Sequence, residues 1–161
     1  MGYPLRSHEE MRCFVLRQFV YPTDVERDEA GYFLVIFPDF LEAGTDGETL
    51  KEALAEATDC LAEAVAGRIA WTENIPKAAR KQKGQYAIVL PAQIAAKAAL
   101  CLAMKETGID KSDLARRLGS DVKEGRRLLD PKQPSGIQLI EEALAAIGQE
   151  LVVGVQASAT A

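Results

Sequence analysis

Histidine occurs once in this 161-residue chain, at His8, and cysteine three times, at Cys13, Cys60 and Cys101. The cysteines lie far apart, in no CxxC spacing and with no histidine beside them. Zinc, haem and a Cys-His nucleophile therefore lack their usual parts, so the thiols are expected to be free and buried, with no metal and no cofactor. An odd count fits a reducing compartment. Long apolar runs are missing as well: none reaches the roughly eighteen residues of a membrane span. The opening MGYPLRSHEE lacks the basic-then-apolar order of a secretion signal. The chain is expected in the cytoplasm, with no membrane partner.

Positive charge is scarce where the chain begins. Residues 1–76 hold 6 Lys/Arg against 15 Asp/Glu, a net of −9; residues 77–91 hold four Lys/Arg and no acid; residues 92–161 hold nine of each. The overall −5 thus averages an acidic front, a basic connector and a neutral back. Such a balance argues against indiscriminate nucleic-acid binding and leaves room for a local patch. The apolar fraction of 48% is enough for a real core, in one domain or two small ones.

Two runs rich in aromatic and β-branched residues, CFVLRQFVY (13–21) and YFLVIF (32–37), are separated by the breaker DEAG (28–31). They predict two strands joined by a turn. Pro38 ends the second, and EAGTDG is short enough for a third strand or edge segment. Thr49 with Glu52 three residues on is a capping box, and Leu50, Ala53, Leu54, Ala57, Leu61, Ala64, Val65 and Ile69 repeat at helical spacing. The helix's other face carries Lys51, Glu52, Glu56, Asp59, Glu63 and Arg68, which solvent should receive. Trp71, Ile75 and Pro76 are expected to pack the helix end on the sheet. After KAARKQK, read as a solvated linker, YAIVLP (86–91) predicts a last strand, giving β-β-β-α-β.

From Ala92 the composition turns to alanine- and leucine-rich helices: 94–106, then DKSDLARRL, DVKEGRRLL and GIQLIEEALAAIG, punctuated by Gly108, Gly119 and Pro131 to Pro134. Within Lys111 to Leu129 the spacing is that of a helix-turn-helix. Ala115 serves as the small crossing residue, Gly119 as the turn, and Leu114, Leu118, Val122 and Leu128 as anchors. Asp110 or Ser112 can cap the first helix and Ser120 or Asp121 the second, with the N-termini set beside phosphates. Ser120, Asp121, Lys123, Arg126 and Arg127 are the candidate DNA-binding residues. Asp121 and Glu124 repel phosphate, and Gly125 falls where an apolar anchor is usual, at roughly 1 kcal/mol of helix propensity. ELVVGVQ, near the end, is read as a strand that pairs with its own copy in a dimer.

The acids of FPDFLEAGTDGETLKEALAEA do not alternate before a glycine as a calcium loop requires, and most lie on a turn or an outer helix face. A solvated or partner-binding surface is favoured over a magnesium-dependent nuclease centre. No catalytic residue is assigned.

The same stretch resembles the N-terminal domain of HicB-type antitoxins, whose pattern runs from a glycine-aromatic strand through F-P-D to a G-[DE]-T-x-x-E-A-L helix start. Phe37, Pro38, Asp39, Gly47, Thr49, Glu52, Ala53 and Leu54 match it one by one. VLPAQIAAKAALCLAMKETGIDKSDLARRLG…RRLLD is similar to the C-terminal helix-turn-helix of one subgroup of that family. The resemblance implies an α+β chain: an N-terminal β-β-β-α-β domain with a partial RNase H-like fold without RNase activity (11–76, last strand 86–91) and a connector at 77–85. An all-α helix-turn-helix domain for DNA binding and dimerisation would follow at 92–155, with residues 1–10 and 156–161 as tails. It implies an antitoxin that blocks a HicA-like mRNA interferase and, as a homodimer or tetramer, represses its operon at operator DNA. A toxin that grips RNA presents a basic surface, so the acidic front, with Asp39, Glu42 and Asp46 as its candidate toxin-binding residues, has a physical reason to bind it. The residues leave two other readings: a stand-alone helix-turn-helix regulator whose front half senses a ligand, and the nuclease.

Overall fold

The computed structural model describes residues 16–157. The first strand, β1 (Val20–Arg27), turns through Asp28 and Gly31 into β2 (Phe33–Ile36). Asp28 closes the turn twice: its carbonyl accepts from the Gly31 amide at 3.1 Å and its Oδ1 from the Tyr32 amide at 2.8 Å. Gly31 sits at φ +92°, a conformation that only glycine adopts without strain. Strand β3 (Gly44–Gly47), helix α1 (Leu50–Ala70) and strand β4 (Tyr86–Val89) complete a four-stranded antiparallel sheet of order β3-β2-β1-β4.

The first strand lies later than the aromatic run suggested, and its predicted start, Cys13 to Val15, lies outside the described residues. Pro22, a residue that usually breaks strands, is inside it. The reason is a change of partner halfway along. Val20 to Thr23 pair with β4, whereas Asp24 to Arg27 pair with β2. The Leu90 amide donates to the Phe19 carbonyl and the Asp28 amide to the Tyr32 carbonyl, so odd residues of β1 bond toward β4 and even ones toward β2. Pro22 thus turns its missing N–H toward the side where β2 has already ended, and no ladder bond is lost.

The capping box forms as the sequence predicts: Thr49 Oγ1 accepts from the Glu52 amide and Glu52 Oε2 from the Thr49 amide, both at 3.2 Å. Ala53, Ala57, Leu61, Val65 and Ile69 make a ridge at four-residue spacing that α1 buries against one sheet face. Its small residues let helix and sheet approach closely. A Cβ on Gly47 would stand 2.5 Å from the Ala53 amide nitrogen, so β3 meets the first turn of α1 as bare backbone. Tyr21 and Phe40 meet edge to face at 5.0 Å in this core, and the Tyr21 hydroxyl donates to the Pro76 carbonyl at 2.9 Å. Trp71 departs from expectation. It stands 81% exposed at the end of α1, and Ile75 alone of the three residues named for that seal is buried.

Four further helices follow: α2 (Ala92–Thr107), α3 (Lys111–Arg117), α4 (Val122–Leu129) and α5 (Ile137–Ala146). Helix α2 serves two cores. Ala98 is buried with the sheet and α1, while Ala96, Leu100, Ala103 and Met104 are buried with Leu114, Leu128, Ile140 and Leu144. Residues 150–157 form neither helix nor strand in the single chain. Among the described residues no helix is long and apolar enough to cross a membrane.

Candidate functional site

The three acids expected on one partner surface have different employments. The Asp39 carboxylate accepts from the Ala79 amide at 3.0 Å and so ties the basic connector to the β2–β3 loop. Glu42 takes both its oxygens to Arg68, at 2.7 Å and 3.0 Å, and Arg68 in turn lies 5.0 Å from the Phe40 ring and donates to the Asn74 carbonyl. That guanidinium holds the Glu42 carboxyl below the ordinary carboxylate range. Asp46 is exposed on β3, the edge strand, away from α1. The three do not converge, and among the described residues no three His, Cys, Asp or Glu side chains gather as a metal would require.

Helices α3 and α4 cross where Gly125 meets Ala115. A Cβ on Gly125 would lie 3.2 Å from the Ala115 Cβ and 3.4 Å from the Lys111 carbonyl. The glycine that looks like a flaw in the sequence is therefore half of the crossing contact: a larger anchor would push the helices apart. Leu114 and Leu128 are buried as anchors, and Leu118 partly so. Val122 is not an anchor; it opens α4 at 40% exposure. The chain reverses at Gly119, φ +63°.

Asp110 caps α3 by accepting from the amides of Ser112 and Asp113 at 2.8 Å and 2.7 Å, and Asp121 caps α4 by accepting from the Glu124 amide at 2.7 Å. Both belong to the pairs of caps the sequence offered. Ser120 Oγ instead donates back to the Ala115 carbonyl at 3.5 Å. On α4, Gly125, Leu128 and Leu129 face inward, which at 3.6 residues per turn sends Lys123 and Arg127 to the opposite side. Both are exposed. Arg126, also exposed, flanks them and lines a cavity of about 520 Å³ between the end of α1, α2 and α4. Ile69, Ile75, Leu102 and Leu129 contribute to its apolar wall, and its charges are of both signs: Arg68, Lys105 and Lys111 with Glu73, Asp110 and Asp130.

One functional candidate escaped the sequence reading. Lys97 of α2 is fully buried, and its Nζ donates at 2.6 Å to the carbonyls of both Asp130 and Gln133, in the segment after α4. It holds the C-terminal end of α4 and the turn that follows, and burial pushes its pKa down despite Asp130 nearby. A single cation among the apolar residues of AQIAAKAALCLAM was the available signal. Arg117, on α3, similarly donates to the Ala146 carbonyl at the end of α5. Of the cysteines, Cys101 is half-buried and its thiol is pushed up to about 11 by burial; Cys60 Sγ donates to the Gly44 carbonyl at 3.5 Å; Cys13 and His8 lie outside the described residues.

Residues 20–99, which span the sheet, α1 and the first half of α2, match the model of a family described as the HicB-like antitoxin of bacterial toxin-antitoxin systems. Over 131 residues the chain is 38% identical to Antitoxin HicB 2 of Photorhabdus laumondii, covering 81% of this chain and 92% of the relative. It is 33% identical over 141 residues to Antitoxin HicB of Pseudomonas fluorescens, covering 87% and 96%. Against Antitoxin HicB of Escherichia coli K12 the figures are 32% over 131 residues, 81% and 95%. These alignments run beyond the sheet domain into the helices that carry α3 and α4.

Proposed function

This chain belongs to the HicB-like antitoxin family, and from that premise we propose that it neutralises a small HicA-like mRNA interferase and represses its own operon at operator DNA. It acts by occlusion and docking, not by catalysis, in the cytoplasm where both targets lie. The sheet and α1 are read as the truncated RNase H-like unit, residues 11–76 closed by the strand at 86–91. The connector is 77–85, and the helical unit 92–155 shares α2 with it. The observation that carries the reading is the division of labour between charges. The front half is acidic, suited to a basic RNA-gripping partner, while α4 leaves Lys123, Arg126 and Arg127 exposed beside a capped N-terminus.

Helices α3 and α4 are read as a helix-turn-helix, with α4 in the major groove. Lys123 and Arg127 point into the groove or at its walls, Arg126 reaches the flanking phosphate, and exposed Val122 suits a thymine methyl. Asp121 contributes by capping α4 and Ser120 by bracing the turn. A homodimer, or a tetramer of two, supplies the second half-site. The test is growth of a host in which the short open reading frame beside this gene is induced with and without this protein. Arrest relieved by this protein supports the antitoxin role; a harmless neighbour, or toxicity it leaves untouched, overturns it.

The cavity favours one second reading, a stand-alone regulator in which a ligand between α1 and α4 alters DNA binding. Binding of a metabolite that shifts operator affinity, with no toxin neutralised, distinguishes it.

A further inference from the structure

A sheet covered on one face leaves the other to water or to a partner. Helix α1 covers one face here, α2 joins the same core through Ala98, and among the described residues no helix is seen against the opposite face. Side-chain alternation and register identify what the open face carries. Val20 stands opposite Val89, and the apolar line continues through Ala87 to Ile36 and Leu34. Ile36 and Val89 are 45% and 49% exposed, and Ala87 is exposed too. Pro22, opposite Ala87 on the same face, is buried, so the exposed apolar surface is Val89 and Ala87 on one side of β1 and Ile36 on the other. Exposed apolar surface bordered by charge marks an interaction site.

The border is acidic on one side. In register, Leu34 lies between Glu26 of β1 and Asp46 of β3, and Ile36 lies beside Asp24. Asp24 accepts a hydrogen bond from the Gln85 side-chain amide, a neutral donor, at 3.1 Å; Glu26 and Asp46 are exposed. Of Asp39, Glu42 and Asp46, the three acids offered as toxin-binding candidates, Asp46 is the one without a partner inside the chain among the described residues. A second copy is a poor occupant, because a two-fold contact on this face would crowd carboxylates of one sign around a common axis. A basic protein surface meets both its apolar centre and its border.

We propose that this open sheet face docks the basic RNA-gripping surface of the toxin, with Ile36 and Val89 as apolar anchors and Asp24, Glu26 and Asp46 as the charge that orients it. The inference rests on the antitoxin reading and says where on the chain neutralisation happens. Neither Asp39 nor Glu42 takes part, since each is held by Ala79 or Arg68.

The experiment uses the full chain and the purified product of the neighbouring open reading frame. Ile36→Arg and Val89→Arg each place charge at an exposed position and leave the core untouched. Each should weaken the complex about 30-fold or more, as loss of a central anchor does, with an unchanged melting temperature. Asp24→Lys with Asp46→Lys should slow association, most at low salt. Reversing Glu56 and Glu63, on the outer side of α1, should change nothing. Hydrogen exchange of the wild-type chain in the complex should show new protection in β1, β2 and β4. Trp71 and Leu41, the latter on the β2–β3 loop, are the rival exposed apolar residues; if Trp71→Ala or Leu41→Ala abolishes the complex and the face variants do not, the inference falls while the antitoxin reading stands. Variants that dissociate a homodimer and spare toxin binding assign the face to a second copy and overturn it. Loss of strand protection in the toxin-free chain on deleting residues 1–10 assigns the face to that segment and overturns it also. If the wild-type chain does not bind the neighbour at all, both fall together.

Discussion

The sheet half and the helical half of this chain spend their charges differently. In the sheet half, acids that look available in the sequence are consumed inside the fold: Asp39 by the Ala79 amide, Glu42 by Arg68. In the helical half Lys97, buried, and Arg117 do internal work by donating to carbonyls, whereas Lys123, Arg126 and Arg127 on α4 make no internal bond among the described residues. Charges that folding leaves unpaired are the ones free for partners, so the comparison separates residues that build the surface from residues that use it.

The comparison breaks most sharply at β3. Gly47→Val should force β3 off α1, since no Cβ fits beside the Ala53 backbone. We expect a loss on the order of 3 kcal/mol in denaturant unfolding, with toxin neutralisation lost alongside. Next in size, Arg126→Ala with Arg127→Ala should weaken operator binding by on the order of 3 kcal/mol, flatten its salt dependence and leave neutralisation intact. Loss of both functions with the fold preserved would end the division between the halves.

Lys97→Met should cost about 2 kcal/mol, because the Asp130 and Gln133 carbonyls lose their donor in a buried place. Operator binding should suffer more than toxin binding, since α4 loses its hold. The sign of its pH dependence follows from the lowered pKa. Between the folded and the unfolded pKa the unfolded chain binds more protons, so stability from Lys97 rises with pH through that window and is lost as pH falls through the folded value. The neutral amine still has protons for both carbonyls. Melting curves at rising alkaline pH should therefore show a stabilising contribution in the wild type that Lys97→Met lacks.

The smallest effect sharpens the comparison. Glu42→Gln should cost under about 1 kcal/mol, since the Arg68 pair is half-exposed and screened. Its contribution is present above the ordinary carboxylate pKa and fades as pH falls through the lowered folded value. Toxin binding should not change; a large loss would return Glu42 to the interface and count against the sheet face.

Where a signal lies within a few consecutive residues, structure was legible in advance. The Asp28 to Gly31 turn, the Thr49 and Glu52 box, the caps at Asp110 and Asp121, and the α1 ridge each depend on contacts three or four residues apart. The HicB-like signature around Pro38 and Thr49 was readable for the same reason, and it carried the family. The extension of β1 from Pro22 to Arg27 was missed because the proline's tolerance depends on where β2 stops. Gly125 read as a weakness because its use depends on Ala115 ten positions earlier, and Val122 read as an anchor although the packing of α3 leaves it outside.

What the sequence determined by itself, then, is the order of elements, their caps and the family, since hydrogen bonds and periodicity within a helix or turn are local. The tertiary structure alone decided which face of the sheet stays open, which acids are already spent and that Lys97 holds α4, because each of these is a meeting of residues far apart in the chain. Asp39 finds Ala79, Glu42 finds Arg68 and Lys97 finds Asp130 only when the sheet and helices have packed.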